Sequence, residues 1–356
     1  MDRTVVVYEP SPAGHRLMYA GLVVDRILAD GDRPVLATTR AAIDSAAFDE
    51  FLGRSADRLR LMVTDEPVGQ CVALLNSIVD AVTPDLMVVP DGDRVAVALA
   101  MRGGWHRRAD LTLLIMRPGP AGHGPASWLR NVLKRTLLLS LRRSSPRCRV
   151  LRLAPGTAPA VDDFAVRDPI TYRATATQID ELRKEWGLDS DRYWYAVVGA
   201  IGPRKNVPLI LAALADQPAG IGLLLAGRVE PGIVPADRAA ATTFERDGGK
   251  LVVVDRFLSD AEVDAAVGAV DCVVLAHSND GSSGLLGKAA AGGTTVVAAG
   301  ASVLIAAVES LGLGATSGLT VRGLAAALRS AQRLSVEPHT DLGSPAEFAT
   351  TLLARR

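Results

Sequence analysis

Cysteine is scarce. Three residues, Cys71, Cys148 and Cys272, are spread over 356 positions, too few and too far apart for a disulfide framework. They read as small core residues of a protein from a reducing compartment. The five histidines are scattered as well, and with no clustered ligand pattern no metal is expected. Aromatic residues make up only 4% of the chain, which leaves Ala, Val and Leu to build its cores. Net charge is missing too: 39 basic and 39 acidic side chains cancel, removing any global attraction for nucleic acid or for an acidic substrate. No apolar run approaches the roughly 20 residues of a membrane span. The first residues, Met1 to Val7, lead straight into a strand-like run without the apolar core and cleavage site of a signal peptide. A cytoplasmic protein is expected.

What the sequence does have is alternation. Short β-branched runs at 4–8, 34–38, 59–63, 86–90 and 111–116 are separated by helical patterns at 15–30 and 70–82 and by one opening at 95. A Pro-, Ala- and Asp-rich stretch at 155–168 reads as an inter-domain connection. A second series follows, with strands at 195–198, 222–226, 251–254, 272–276 and 294–298 and helices at 177–186, 207–214, 260–267, 282–291 and 321–333. Continuous apolar strands alternating with helices predict parallel sheets covered on both faces. The length suits two domains of roughly 150 residues. The expected fold class is α/β, with two Rossmann-like doubly wound domains facing across a cleft. Residues 1–165 form the first, 166–340 the second, and 341–356 a C-terminal helix expected to pack back on the first.

Ligands of such sheets gather beyond the carboxyl ends of the strands, where helix N-termini point inwards. Two junctions in the second half have suitable chemistry. At the first, a strand runs into Gly199-Ala200-Ile201-Gly202-Pro203-Arg204-Lys205 before a helix begins. Gly199 and Gly202 allow close backbone approach, and Lys205 with Arg204 would favour a diphosphate. The alternative is a solvated Arg-Lys pair in an ordinary loop. At the second, Asp280, Ser282, Ser283 and Gly284 open a small-residue helix whose first amides suit an anion, with either serine able to cap it. The alternative there is a capped core helix with nothing bound.

Together the two segments resemble the C-terminal domain of GT-B glycosyltransferases, closest to the family 4 group of retaining nucleotide-sugar enzymes. That group reads "G-R-l-x-x-x-K-G" at the first junction and "E-x-x-G-l-x-x-x-E-A-x-A-x-G-x-P-V-V" at the second. Gly199 and Lys205 match the first pattern, and Ala289 through Val297 match the end of the second. Leu223-Leu224-Leu225-Ala226-Gly227 is similar to the strand between them, and 257–271 to the segment preceding the second. The resemblance implies a nucleoside diphosphate sugar as donor substrate, with no further cofactor. Lys205 and Arg204 would stabilise the leaving diphosphate without a required metal, and Asp280 would orient the donor sugar.

Departures accompany the matches. Ala200 replaces the family's arginine, and Asp280 stands for its first glutamate. Lys288 replaces the second, which holds the ribose hydroxyls. A lysine is donor-only and cannot accept from hydroxyls, so Lys288 is expected nearer a phosphate or polar sugar groups.

The first half resembles the family more loosely. Gly14, His15 and Arg16 follow the first strand, Asp91 the strand at 86–90, and Arg117 the strand at 111–116. These are acceptor-side candidates, with His15 counted among the catalytic ones. Capping or solvent-facing roles are the plainer readings of His15 and Asp91. One segment is unusual in charge. From 111 to 161 there is no acidic residue, while Arg130, Lys134, Arg135, Arg142, Arg143, Arg147, Arg149 and Arg152 all fall within it. Leu129, Leu133, Leu137 and Leu141 recur there at helical spacing. The preferred reading is a domain helix with a basic outer face and a core-facing Leu stripe. A peripheral membrane contact through 129–152, at the inner face of the membrane, is the competing one.

The leading functional reading is transfer of a hexose-type unit from a sugar nucleotide to an acceptor hydroxyl or amine, with retention. An inverting GT-B transferase or a sugar-nucleotide epimerase would instead need a base, for which His15 or Asp91 is available. A third reading, prompted by Ala200 and Lys288, is a degenerate GT-B protein that binds a nucleotide or partner without catalysis.

Overall fold

The computed structural model describes residues 2–12, 14–64, 70–116, 125–158, 161–215, 217, 220–231, 233, 238–279 and 283–355, without the side chains at 125–128, 130–131 and 238–239. The chain divides into two units. The first comprises Met1–Pro155, Ala160–Pro169 and Gly343–Arg356, the second Gly156–Pro159 and Ile170–Leu342.

In the first unit, β1 (Thr4–Tyr8), β2 (Arg33–Thr38), β3 (Arg60–Val63), β4 (Leu86–Val89), β5 (Asp110–Ile115), β6 (Cys148–Ala154) and β7 (Ala165–Arg167) form one sheet in the order β3-β2-β1-β4-β5-β6-β7. Every pairing is parallel. In the second, β8 (Tyr193–Val198), β9 (Ile221–Ala226), β10 (Lys250–Val254), β11 (Cys272–His277), β12 (Thr295–Gly300) and β13 (Gly314–Ser317) pair in parallel as β10-β9-β8-β11-β12-β13. The stretch read as a connection at 155–168 ends in β7, which is hydrogen bonded to β6.

Strand alternation explains why the central strands are apolar throughout. Val5 and Val7 enter one core cluster, while Val6 and Tyr8 enter another on the opposite face of the sheet. In the second unit, Trp194, Ala196 and Val198 likewise belong to one cluster and Tyr195 and Val197 to another. The three cysteines are buried thiols within these cores. The C-terminal helix Pro345–Leu353 lies in the first unit, with Phe348 against the Tyr19 ring at 4.9 Å and Glu347 paired with Arg167 at 2.7 Å. Among the described residues no helix is long and apolar enough to cross a membrane.

The Leu stripe at 129–141 departs from its expected burial. Leu141 is fully buried, but Leu129 is 62% and Leu133 58% exposed. The helix Pro125–Ser144 instead turns two of its cations inward. Lys134 is bonded to Asp93, and Arg142 donates to the Val150 carbonyl at 2.8 Å while lying over the Phe164 ring. The polar groups offered by neighbouring elements decide which face of the helix is inside.

Candidate functional site

Both sheets reverse strand order beside their first strand, and there the loops leaving the two adjacent carboxyl ends separate. In the second unit this point lies between β8 and β11. Gly199, at φ +88°, turns the chain out of β8 in the left-handed region. Gly227 follows β9, at a point where a Cβ would meet the Gly199 carbonyl oxygen at 2.3 Å. The loop then closes in a single 3₁₀ turn, Pro203–Lys205, followed by left-handed Asn206. Asn206 donates to the Ala276 carbonyl at 2.9 Å, and the Ser278 amide donates to the Arg204 carbonyl at 3.0 Å. These bonds zip the loop after β8 to the loop after β11.

The turn places Lys205 inside. Its side chain is buried, and its ammonium donates to the Val198 carbonyl. Burial, reinforced by the Arg204 charge, lowers its pKa to about 8. Arg204 itself is exposed, and Gly202 is buried with the Glu230 carboxylate packed over it. Next to this pair β11 ends in His277, a residue without an assigned role in the sequence reading. Burial and the nearby Lys205 and Arg204 cations lower its imidazole to about 4, so it is neutral at pH 7. Its Nε2 is buried and has no hydrogen-bond partner among the described residues. A buried cation and a neutral imidazole thus flank the strand-order reversal, an arrangement that favours an anion bringing its own acceptor atoms.

The second junction is partly visible. Asp280 and Ser282 lie outside the described residues. Ser283 occupies the N-cap of the helix Gly284–Gly292, with Gly284 as the first helical residue, but its side chain makes no capping bond. Serine capping by Ser283 is therefore not what holds this helix start. Lys288 points elsewhere than toward a phosphate group. Its ammonium binds Asp264, Asp260 at 2.9 Å and the Thr171 carbonyl at 2.9 Å, and Asp264 also accepts the Arg173 amide at 2.8 Å. Lys288 is a staple between two helices and the segment 171–173.

In the first unit the reversal lies between β1 and β4. There Arg16, in the first turn of the helix Gly14–Ala29, pairs with Asp91 at 2.9 Å. His15 is exposed and makes an edge contact with the Tyr19 ring at 6.3 Å. Arg117 lies outside the described residues. Glu9, the first residue after β1, was not singled out from sequence, yet it is fully buried. One oxygen accepts the Ser11 amide at 2.9 Å, and Oε2 has no hydrogen-bond partner among the described residues. Burial raises its pKa to about 7, with the Ser11 bond and Arg16 opposing and Asp91 adding to the rise. Glu9 and His277 share one sequence signal: each is the polar residue that closes an apolar run at a strand's carboxyl end. Among the described residues no group of three or more His, Cys, Asp or Glu side chains is placed to hold a metal ion.

The raised pKa of Glu9 gives a testable pH dependence. The folded state keeps the proton between the ordinary value of 4.5 and about 7, where the unfolded chain has released it. This stabilisation is complete below 4.5 and lost as pH rises through 7. Glu9→Gln is expected to match the wild type near pH 4.5 and exceed it by about 2 kcal/mol at pH 8. Urea unfolding of both proteins across that range checks this, because other titrating groups cancel in the difference.

No family model and no curated protein sequence matches the chain. Solved structures do. HepE from Anabaena, in complex with UDP and glucose, is 17% identical with a TM-score of 0.61, covering 98% of this chain and 94% of its own. A glycosyltransferase from Rickettsia africae is 11% identical with a TM-score of 0.64, covering 99% and 93%. A Listeria monocytogenes protein assigned as a UDP-N-acetylglucosamine 2-epimerase is 10% identical with a TM-score of 0.62, covering 98% and 94%. The fold is the GT-B fold, two Rossmann-like units in one chain. Within it, the strand-order reversal of the second unit is the candidate anion site.

Proposed function

We propose that the second unit binds a nucleoside diphosphate sugar at the β8/β11 reversal and that the protein transfers the sugar to an acceptor hydroxyl or amine. One observation carries this reading: Lys205 is a buried cation held at a strand's carboxyl end beside neutral His277, whose Nε2 has no hydrogen-bond partner among the described residues. An arriving diphosphate supplies the negative charge that Lys205 lacks and acceptor oxygens for the neighbouring donors. As the bond from the anomeric carbon to the diphosphate oxygen breaks, charge grows on the leaving group. Lys205, Arg204 and the first amides of the helix Gly284–Gly292 stabilise it electrostatically, without a required metal. HepE, of the same fold, is a structure with UDP and glucose, which supports a sugar-nucleotide donor of hexosyl type. Arg16 and Asp91, with Gly14 beside them, are the acceptor-side groups.

Glu9 favours a second reading. A buried carboxyl with pKa about 7 at the first unit's reversal suits proton transfer, which an inverting transferase or an epimerase requires and retention does not. Incubation with UDP-, GDP-, dTDP- and ADP-linked hexoses, followed by mass spectrometry and NMR, tests both. Released or transferred sugar of retained configuration is the expected result. An inverted product, or a 2-epimer of the intact donor, would establish the second reading, and no change to any donor would overturn catalysis.

A further inference from the structure

The outward face of the helix Pro125–Ser144 carries large aliphatic side chains among the polar Thr136 and Ser140, where a solvated helix would be polar throughout. Leu129, Leu133 and Leu139 are more than half exposed, at 62%, 58% and 51%, and Val132 is exposed at 38%. At 100° per residue these four fall on one stripe, opposite the buried Leu141. Four large aliphatic side chains clustered on one exposed face form a patch of the kind that marks an interaction site.

Charge identifies the occupant. Arg135 lies at the edge of the stripe and Arg143 on its line one turn beyond Leu139, and both are exposed. Asp93 is paired with Lys134 on the inward side, Asp110 with Arg147 at 3.1 Å and Asp162 with Arg152 at 2.8 Å. No acidic residue occurs from 111 to 161. A second copy of the chain meeting this face by two-fold symmetry would set one arginine row against another, at an electrostatic cost. A stripe one helix wide also falls short of the roughly 800 Å² per partner of a stable protein interface. A bilayer with anionic headgroups meets both features at once: acyl chains take the aliphatic stripe and phosphates take the flanking guanidinium groups.

We propose that the helix Pro125–Ser144 docks the protein on an anionic lipid surface, lying in the interface with Leu129, Val132, Leu133 and Leu139 inserted. This is independent of the sugar-nucleotide reading, since it involves none of the residues at the β8/β11 reversal. The test is co-sedimentation of the full chain with phosphatidylcholine vesicles and with mixed phosphatidylcholine–phosphatidylglycerol vesicles. The wild type is expected to bind the mixed vesicles, to bind neutral ones at least about tenfold more weakly, and to be released by salt. Leu129→Glu/Leu133→Glu is expected to lose binding to mixed vesicles at least about tenfold while keeping its melting temperature. Leu139→Glu serves as a second, single-site probe should the double variant misfold. Arg135→Glu/Arg143→Glu is expected to abolish the preference for anionic lipid. No binding of the wild type to mixed vesicles would overturn the proposal, as would equal binding by the leucine variants. A concentration-dependent dimer abolished by Leu139→Glu, in a protein that ignores vesicles, would also overturn it and assign the face to a second copy.

Discussion

Lys288→Glu, which restores the glutamate of the family pattern, is expected to unfold the second unit at far lower temperature instead of improving a ligand site. Lys288 is 13% exposed, and its ammonium is shared between Asp264, itself 2% exposed, and Asp260. Burial already pushes the Asp264 carboxyl up from its ordinary range, and the lysine opposes that rise. Removing one partner of a buried pair costs about 3–5 kcal/mol, and a third carboxylate adds like-charge repulsion. A loss of at least about 4 kcal/mol corresponds to a fall of about 8–16 °C in Tm for a unit of this size. Lys288→Met should fall by less, and adding Asp264→Asn to it should recover part of the loss, because the orphaned charge is then gone. Thermal unfolding followed by circular dichroism reads all three. Had Lys288 faced a phosphate, Lys288→Met would weaken nucleotide binding and leave Tm nearly unchanged.

Lys205→Met should do the reverse, raising the stability of the ligand-free protein. The buried ammonium is held below its ordinary value of 10.5, at about 8. The unfolded chain therefore binds the proton more tightly between those values, and the penalty is fully present below pH 8. It is relieved as pH rises from 8 towards 10.5. Methionine fills similar volume without the charge. A gain of about 2 kcal/mol at pH 7 follows, reduced by whatever the lost bond to the Val198 carbonyl contributed. The gain should largely fade by pH 10.5, since the folded lysine is then neutral and the unfolded one half-neutral. Chemical denaturation at pH 7 and pH 10.5 gives the comparison. A buried lysine that destabilises its own fold is the pattern expected of a group kept for a ligand.

The strands most readable from sequence were those buried on both faces. The runs at 4–8 and 86–90 coincide with β1 and β4 to within a residue because nothing polar interrupts them. β6 was missed because Arg149 and Arg152 break its apolar run, and no local pattern shows their partners: Arg149 donates to Thr351 and Ala354, far away in sequence, and Arg152 to Asp162 beyond the strand. β13 was missed because Gly314-Ala315-Thr316-Ser317 carries almost no apolar signal. At the site, spacing pointed to Lys205 and Arg204, but their difference did not show. Which of two adjacent cations turns inward depends on the 3₁₀ turn and on bonds from Asn206 and Ser278. Lys288 failed as a phosphate-side group for the same kind of reason. Asp260 and Asp264 are one helical turn apart on another helix, and no local pattern around 288 announces them. Glu9 and His277 were legible only as polar residues ending apolar strands, since burial of Oε2 and Nε2 with no hydrogen-bond partner among the described residues is a tertiary property.

The central claim is that Lys205 is held desolvated for a diphosphate, and calorimetric titration tests it most directly. UDP, GDP, dTDP and ADP are titrated into the wild type and Lys205→Ala at pH 8, in two buffers of different ionisation enthalpy. With a free-state pKa of about 8, half of the lysines are neutral at that pH, and a bound diphosphate draws them into the charged form. At least one nucleotide is expected to bind the wild type with uptake of about half a proton. The variant should bind it at least about tenfold more weakly and take up none. Absence of binding by all four nucleotides, or binding that is equal in the variant and free of proton uptake, would contradict the account.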